Sequence, residues 1–252
     1  MNNHGDVVGR TRTGRAFVNR DGVMQELLIG DTPHFSGGAV GINDSGQIVG
    51  VSTSKDSFNR AFLYEDGSMR DLGALPGLTS SEAKAINNRG QVVGNSRNRA
   101  FLWEENTGMT EIGWLDDSIP SSSAEAINNV GEVVGRSFIR VNGQTFLRAY
   151  LWRRGQMEEL PPLPGDQFSE AYDVNDSGQV VGISLGCNPY CSMRPVLWDG
   201  DDIIELGGID GASAGFNKAT GINNRGQVVG ISDLEGSPGT SLGFLAEPLG
   251  VR

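Results

Sequence analysis

One short segment returns six times along the chain, and that repetition limits the fold more than any other feature. Asn3–Gly9 recurs as Ile42–Gly50, Ile86–Gly94, Ile127–Gly135, Val174–Gly182 and Ile222–Gly230. Its turn glycines, Gly5, Gly46, Gly90, Gly131, Gly178 and Gly226, are spaced 41, 44, 41, 47 and 48 residues apart. Each unit reads as four short strands. The first carries an alanine three residues before the Ile-Asn pair (Ala39, Ala83, Ala124, Ala171, Ala219). A tight turn with Asn or Asp and Gly supplies the positive φ that other residues resist. The second strand is Gln-Val-Val-Gly and its variants. The third is Ala-Phe-Leu-Trp at Ala100–Trp103, and the fourth is Met-Arg-Asp-Leu at Met69–Leu72, each with its echoes.

Four-to-six-residue strands, Gly-rich turns and a period of 41 to 48 residues predict an all-β, six-bladed β-propeller of four-stranded antiparallel blades, one domain over residues 1–252. Helical arrays of similar period are excluded by the glycine and β-branched content of every unit. Glycine stands at 37 of 252 residues, about 15%, roughly twice the usual share near 7%. Second and third strands occur six times, first and fourth strands five times, so the terminal blade reads as incomplete. A truncated start, an imperfect closure or a partner filling the gap would each account for this, and exposed edges make the question matter.

The motifs Ala83–Gly94, Arg99–Trp103 and Met69–Gly77 resemble the HAF repeat family of bacterial proteins, and the match covers essentially the whole chain. The strand order is also similar to the Kelch propeller repeat. The resemblance implies export and a propeller-like fold. It implies no settled activity and supplies no catalytic motif. No signal peptide is present in the chain as given, since Met1–Asp6 has neither a basic nor an apolar region.

A net charge of −11 and a pI near 4.6 argue against nucleic acid as partner, because a phosphate backbone needs a basic footprint. No apolar run of 18 residues is present, so no membrane insertion by a helix is expected. Strand alternation puts the one–two and three–four turns on one face, and the two–three and four–one connections on the other. The second face holds the long, dissimilar connections: Ser52–Asn59, Ser137–Leu147, Ser184–Met193, Ser232–Leu242, Trp114–Ser121 and Pro161–Gln167. Variable loops on a rigid scaffold are where binding concentrates.

The Kelch resemblance implies that the first strands line a channel. Two positions on them differ from blade to blade: Val40, Lys84, Glu125, Tyr172 and Thr220, and Gly38, Glu82, Ser123, Glu170 and Lys218. The ligand-binding candidates are therefore Tyr172, Glu82, Lys84, Glu125, Glu170 and Lys218, with His34 in a four–one loop. A solvated channel with ion pairs is the plainer reading of the same residues. If the protein is an enzyme, Glu125, Glu170, Tyr172 and Lys84 would supply acid and base at the channel mouth as a lyase, cyclase or hydrolase.

Cys187 and Cys191, the only thiols, read as a local disulfide suited to an oxidising compartment. Three residues separate them, unlike the redox Cys-x-x-Cys spacing, and two cysteines make a poor zinc site. Asp116-Asp117 and the Asp199–Asp202 turn raise a calcium reading, but the EF-hand pattern is absent and Asp-Gly suits turns without metal. No cofactor is expected. The sequence thus points to an extracellular or envelope-associated binding module for a small-molecule or glycan ligand, with Trp114, Phe168, Tyr172 and Phe216 as candidate sugar-stacking rings. An enzyme, or a scaffold joined to a protein partner or a second copy through the incomplete blade, are the alternatives.

Overall fold

The computed structural model describes residues 1–27, 37–53, 58–187, 191–207, 216–233 and 241–247. His34 lies outside the described residues. The strands form six antiparallel sheets in two compact units, Met1–Gly113 and Trp114–Arg252. No helix is present among the described residues, and each sheet is one blade, hydrogen-bonded in sequence order.

In the first unit, blade one is β1 (Val7–Arg10), β2 (Ala16–Arg20) and β3 (Val23–Glu26). Blade two is β4 (Gly37–Ile42), β5 (Ile48–Thr53), β6 (Asn59–Glu65) and β7 (Ser68–Asp71), and blade three is β8 (Glu82–Ile86), β9 (Val92–Ser96), β10 (Arg99–Glu104) and β11 (Gly108–Glu111). In the second unit, blade four is β12 (Ser122–Ile127), β13 (Val133–Val141), β14 (Gln144–Arg153) and β15 (Gln156–Leu160). Blade five is β16 (Phe168–Val174), β17 (Val180–Cys187), β18 (Cys191–Asp199) and β19 (Asp202–Glu205), and blade six is β20 (Lys218–Ile222), β21 (Val228–Asp233) and β22 (Ser241–Ala246). Among the described residues blade one has no first strand and blade six no fourth, as the repeat count anticipates.

Within each unit the core lies between consecutive blades. Val49, Leu63 and Leu72 of blade two pack with Val92, Phe101 and Trp103 of blade three, and Val134, Leu151 and Leu160 of blade four pack with Val180, Val196 and Trp198 of blade five. Blades three and four bury both faces of their second and third strands: Val92, Val93, Phe101 and Leu102, and Val133, Val134, Tyr150 and Leu151, are all buried.

The repeated asparagine does two jobs. The Asn175 side-chain oxygen accepts from Ser177 N and Gln179 N, closing the one–two turn. The amide nitrogen donates to Gln179 Oε1 and to the carbonyl oxygen of Asn223 in the next blade. Asn2 and Asn43 do the same toward Asn43 and Asn87. The next residue forms a second belt: Asp44 joins Asn3 and Asn88, and Asp176 joins Asn129 and Asn224. Hydrogen bonds to Asn3 and Asn88 hold the Asp44 carboxyl below the usual carboxylate range, that from the Asn3 main chain being the largest cause. This face is occupied by structural bonding.

A β-bulge recurs in the first strand of every blade that has one. The register shifts between Ala39 and Gly41, Ala83 and Ala85, Ala124 and Ala126, Ala171 and Asp173, and Ala219 and Gly221. The unpaired residues are Val40, Lys84, Glu125, Tyr172 and Thr220. A bulge frees one residue from the ladder and tips its strand. The tip explains the second-strand glycine. A Cβ on Gly50, Gly94, Gly135, Gly182 or Gly230 would overlap the carbonyl oxygen of Gly38, Glu82, Ser123, Glu170 or Lys218 respectively.

Two connections that read as loops are strands over most of their described residues. Ser137–Leu147 is a twisted ribbon paired from Ser137↔Arg148 to Val141↔Gln144, turned by Asn142 (φ 51°) and Gly143 (φ 82°). An Asn-Gly pair at positive φ is the favoured two-residue hairpin turn, and it stood in the sequence. Ser184–Met193 continues the ladder to Cys187↔Cys191, where the disulfide expected from the spacing is formed.

Candidate functional site

The bulge places the variable first-strand residues beside the second strand, and a residue absent from the sequence reading organises them. In the second unit Arg136 follows the glycine of β13 and pairs across the ladder with Ser123. Its guanidinium sits 2.7 Å from Glu170 and 3.6 Å from Glu125. Ser123 Oγ donates to Glu125 Oε1 at 3.0 Å, and Tyr172 Oη donates to Glu170 Oε2 at 3.4 Å. Burial and then the Glu170 charge push the Tyr172 phenol upward, so it stays a neutral donor. Glu125, Glu170 and Tyr172 are thus brought together, but both carboxylates share one guanidinium, which leaves no free base facing a separate acid. Lys84 belongs to the first unit and pairs with Glu82 at 3.0 Å. Lys218 is half-buried on β20 and makes no ion pair among the described residues.

Beneath this cluster lies Tyr150, fully buried, where blades two and three carry Phe62 and Phe101. Its hydroxyl has no hydrogen-bond partner, and burial followed by the Glu125 charge raises its pKa. Next to Tyr172, Asp173 stands at the position of Gly41, Ala85, Ala126 and Gly221. Its carboxylate accepts from Val174 N and from Ile222 N of the following blade, both at 2.9 Å. Burial pushes its pKa up to about 6.

The first unit holds an open cleft. On the face of the two–three and four–one connections, Asn59, Ser80, Ser81, Glu82, Asn95 and Arg97 line a space of about 130 Å³. Hydrogen bonds between strand ends and connections position these groups. Ser81 N donates to Asn59 O and Ala61 N to Ser81 Oγ, each at 2.9 Å, which fixes the start of β6 against the residue before β8. Ser96 Oγ donates to Ser80 O at 2.8 Å and holds the four–one connection down. Arg97 turns the β9–β10 hairpin at φ 55° and is exposed. Of these six residues only Glu82 was expected from the sequence. Asn59, Asn95 and Arg97 sit where the repeat varies at strand ends, a signal present but not distinguishable from ordinary turn chemistry.

The candidate stacking rings have separate fates. Phe168 packs on Phe146 with centroids 5.8 Å apart, Trp114 Nε1 donates to Asp117, and Phe216 is 60% exposed. The Asp116 carboxylate accepts from Ser118 N and Arg140 N, and Asp199 from Gln179. Among the described residues no three His, Cys, Asp or Glu side chains gather to hold a metal.

Three solved structures resemble the chain over nearly all its length. The β-propeller domain of the Trilobed protease from Pyrococcus furiosus, described as having an open velcro topology, aligns with TM-score 0.62 and 13% identity over 98% of this chain and 79% of that one. The fold is a β-propeller. A puromycin-hydrolyzing peptidase from Mycobacterium tuberculosis aligns with TM-score 0.57 and 13% identity over 97% of this chain, and TolB from Acinetobacter baumannii with TM-score 0.53 and 13% identity over 96%. The chain spans 42% and 60% of those two proteins respectively. At such identity the likeness is one of architecture, and propellers carry unrelated functions. No family model and no curated protein matches the sequence.

Proposed function

We propose that this protein is a binding module that takes a saccharide in the cleft between blades two and three. The carrying observation is the cleft itself: six polar residues, at strand ends and in the connections hydrogen-bonded to them, bring amide, hydroxyl, carboxylate and guanidinium chemistry to a space of about 130 Å³. Sugars are recognised by such mixed donors and acceptors, and a preorganised rim spares the cost of ordering it on binding. The module works outside the cytoplasm, in the envelope or beyond it. The Cys187–Cys191 disulfide supports that reading, because structural disulfides persist in oxidising compartments. So does the resemblance of the repeat to the HAF family.

The enzyme reading is weaker on geometry. Its carboxylates, Glu125 and Glu170, are both committed to Arg136, and its lysine, Lys84, to Glu82.

The test is glycan-array binding by the intact protein beside Ser80→Phe. Phe168 occupies the same repeat position in blade five, so the strand accepts the ring while the cleft is filled. Saturable binding that falls at least tenfold in the variant, with the melting temperature unchanged, is the expected result. An array on which nothing binds would count against the whole proposal.

A further inference from the structure

In five blades an arginine stands immediately before the third-strand residue Ala16, Ala61, Ala100, Ala149 or Pro195, and four of the five arginines meet a glutamate on the fourth strand. Arg15–Glu26 and Arg148–Glu159 are 2.8 Å apart, Arg194–Glu205 3.2 Å and Arg99–Glu111 3.4 Å. Blade two departs from its own repeat. Its acid is Asp71, one methylene shorter, and Asp71 Oδ1 accepts instead from Gly73 N at 2.8 Å. Among the described residues Arg60 makes no ion pair, and its Nε is buried without a hydrogen-bond partner. A buried guanidinium N–H that has left water and found no acceptor is costly, and the half-buried guanidinium that carries it keeps an unmatched charge.

Arg60 does not itself line the cleft but adjoins Asn59, which does. It lies between Asn59, a lining residue, and Ala61, and both of these bond Ser81. The matching Arg148 donates to the carbonyl oxygen of Gln167, two residues before Ser169, and Thr79 holds that place before Ser81. Arg97 adds a second guanidinium on the lining, with no ion pair among the described residues. The one acidic lining residue, Glu82, is paired with Lys84. The cleft's acid is thus neutralised by a lysine while its arginine makes no ion pair among the described residues, in a chain of net charge −11.

We infer that the cleft selects an anionic saccharide, one bearing a uronate carboxylate or a sulfate ester, with Arg60 and Arg97 reading the anion. This rests on the cleft being the saccharide site. A planar guanidinium meets either anion with paired N–H donors, which gives direction as well as charge.

The experiment uses the intact protein, a panel of oligogalacturonate, its methyl ester, a sulfated galactan and a neutral galactan, and the variants Arg97→Asn and Arg60→Met. Asparagine tolerates the positive φ at position 97, so that variant keeps the fold even if Arg60→Met does not. Binding to oligogalacturonate or the sulfated galactan should exceed that to the ester and neutral galactan at least tenfold, fall with added salt, and lose its preference in Arg97→Asn. The arm that binds identifies the anion. Equal binding to charged and neutral sugars overturns the inference and leaves the saccharide module standing. No binding on this panel, with neutral hits on the glycan array, also overturns the inference alone. Silence on both overturns the module as well.

Discussion

The side-chain amide of Asn128 donates to the carbonyl oxygen of Asn175 across 2.9 Å, joining the turn of one blade to the turn of the next. The same side chain accepts from Val130 N and Glu132 N and donates to Glu132 Oε2, so one buried residue closes its own turn and docks its neighbour. Replacing it with alanine strands several buried main-chain groups. Asn128→Ala should lower the unfolding free energy by about 2–4 kcal/mol. Asn224→Ala, exposed at the rim, should cost under about 1 kcal/mol. Urea unfolding of the two variants side by side checks the contrast, and equal losses would refute it.

Gly135 adopts no left-handed conformation, yet no other residue fits there. An added Cβ would overlap Ser123 O and lie 3.0 Å from Ala124 Cα. Relief requires β12 to move off its bulge. Gly135→Ala should therefore destabilise by about 3 kcal/mol or more, comparable to a severe overpacking defect. A thermal melt suffices, since a shift of only a degree or two would show that the strand yields easily.

Asp173 makes stability depend on pH in an unusual direction. Its folded-state pKa of about 6 lies above the ordinary value of 3.8, because burial disfavours the ionised form. The folded state then holds the proton more tightly than the unfolded chain. The stabilising contribution is fully present below pH 3.8, declines as pH rises, and is gone above pH 6. Relative to Asp173→Asn, the wild type should lose about 2–3 kcal/mol between pH 3.5 and pH 7. Denaturant titrations of both proteins at those two pH values measure it. Parallel stabilities would mean that the carboxylate finds solvent.

Tyr150→Phe should leave stability unchanged or raise it by about 1–2 kcal/mol, because the hydroxyl is buried without a partner and the repeat already uses Phe62 and Phe101 there. A fall in melting temperature would instead reveal a buried water bonded to that hydroxyl beside Glu125.

The blades were legible in the sequence because each repeat checks the others. Six copies of the turn glycine and of Val-Val-Gly locate strand ends that one copy would leave ambiguous. The variable first-strand positions were legible as variable. Their physical reason, the bulge at Lys84, Glu125 and Tyr172, was not, since a bulge changes pairing without changing the alternation of residue types. Arg136 went unnoticed because it follows a conserved-looking motif and its partners, Glu125 and Glu170, come from two different blades. The cleft was hidden for a similar reason. Asn59, Ser80 and Arg97 are ordinary loop residues until the register brings them to one rim. Asn142-Gly143 is different: the hairpin signal was present, and only the length of the segment suggested a loop.

The five bulge residues form an alphabet apart from the grammar of the fold. Val40, Lys84, Glu125, Tyr172 and Thr220 make no ladder bonds in their own right, and the alanines and glycines around them carry the packing. Substitution there rewrites surface chemistry without shifting any strand's register. Selection, or a combinatorial library of randomised codons, can therefore retune these positions within each unit one residue at a time while the architecture stays constant.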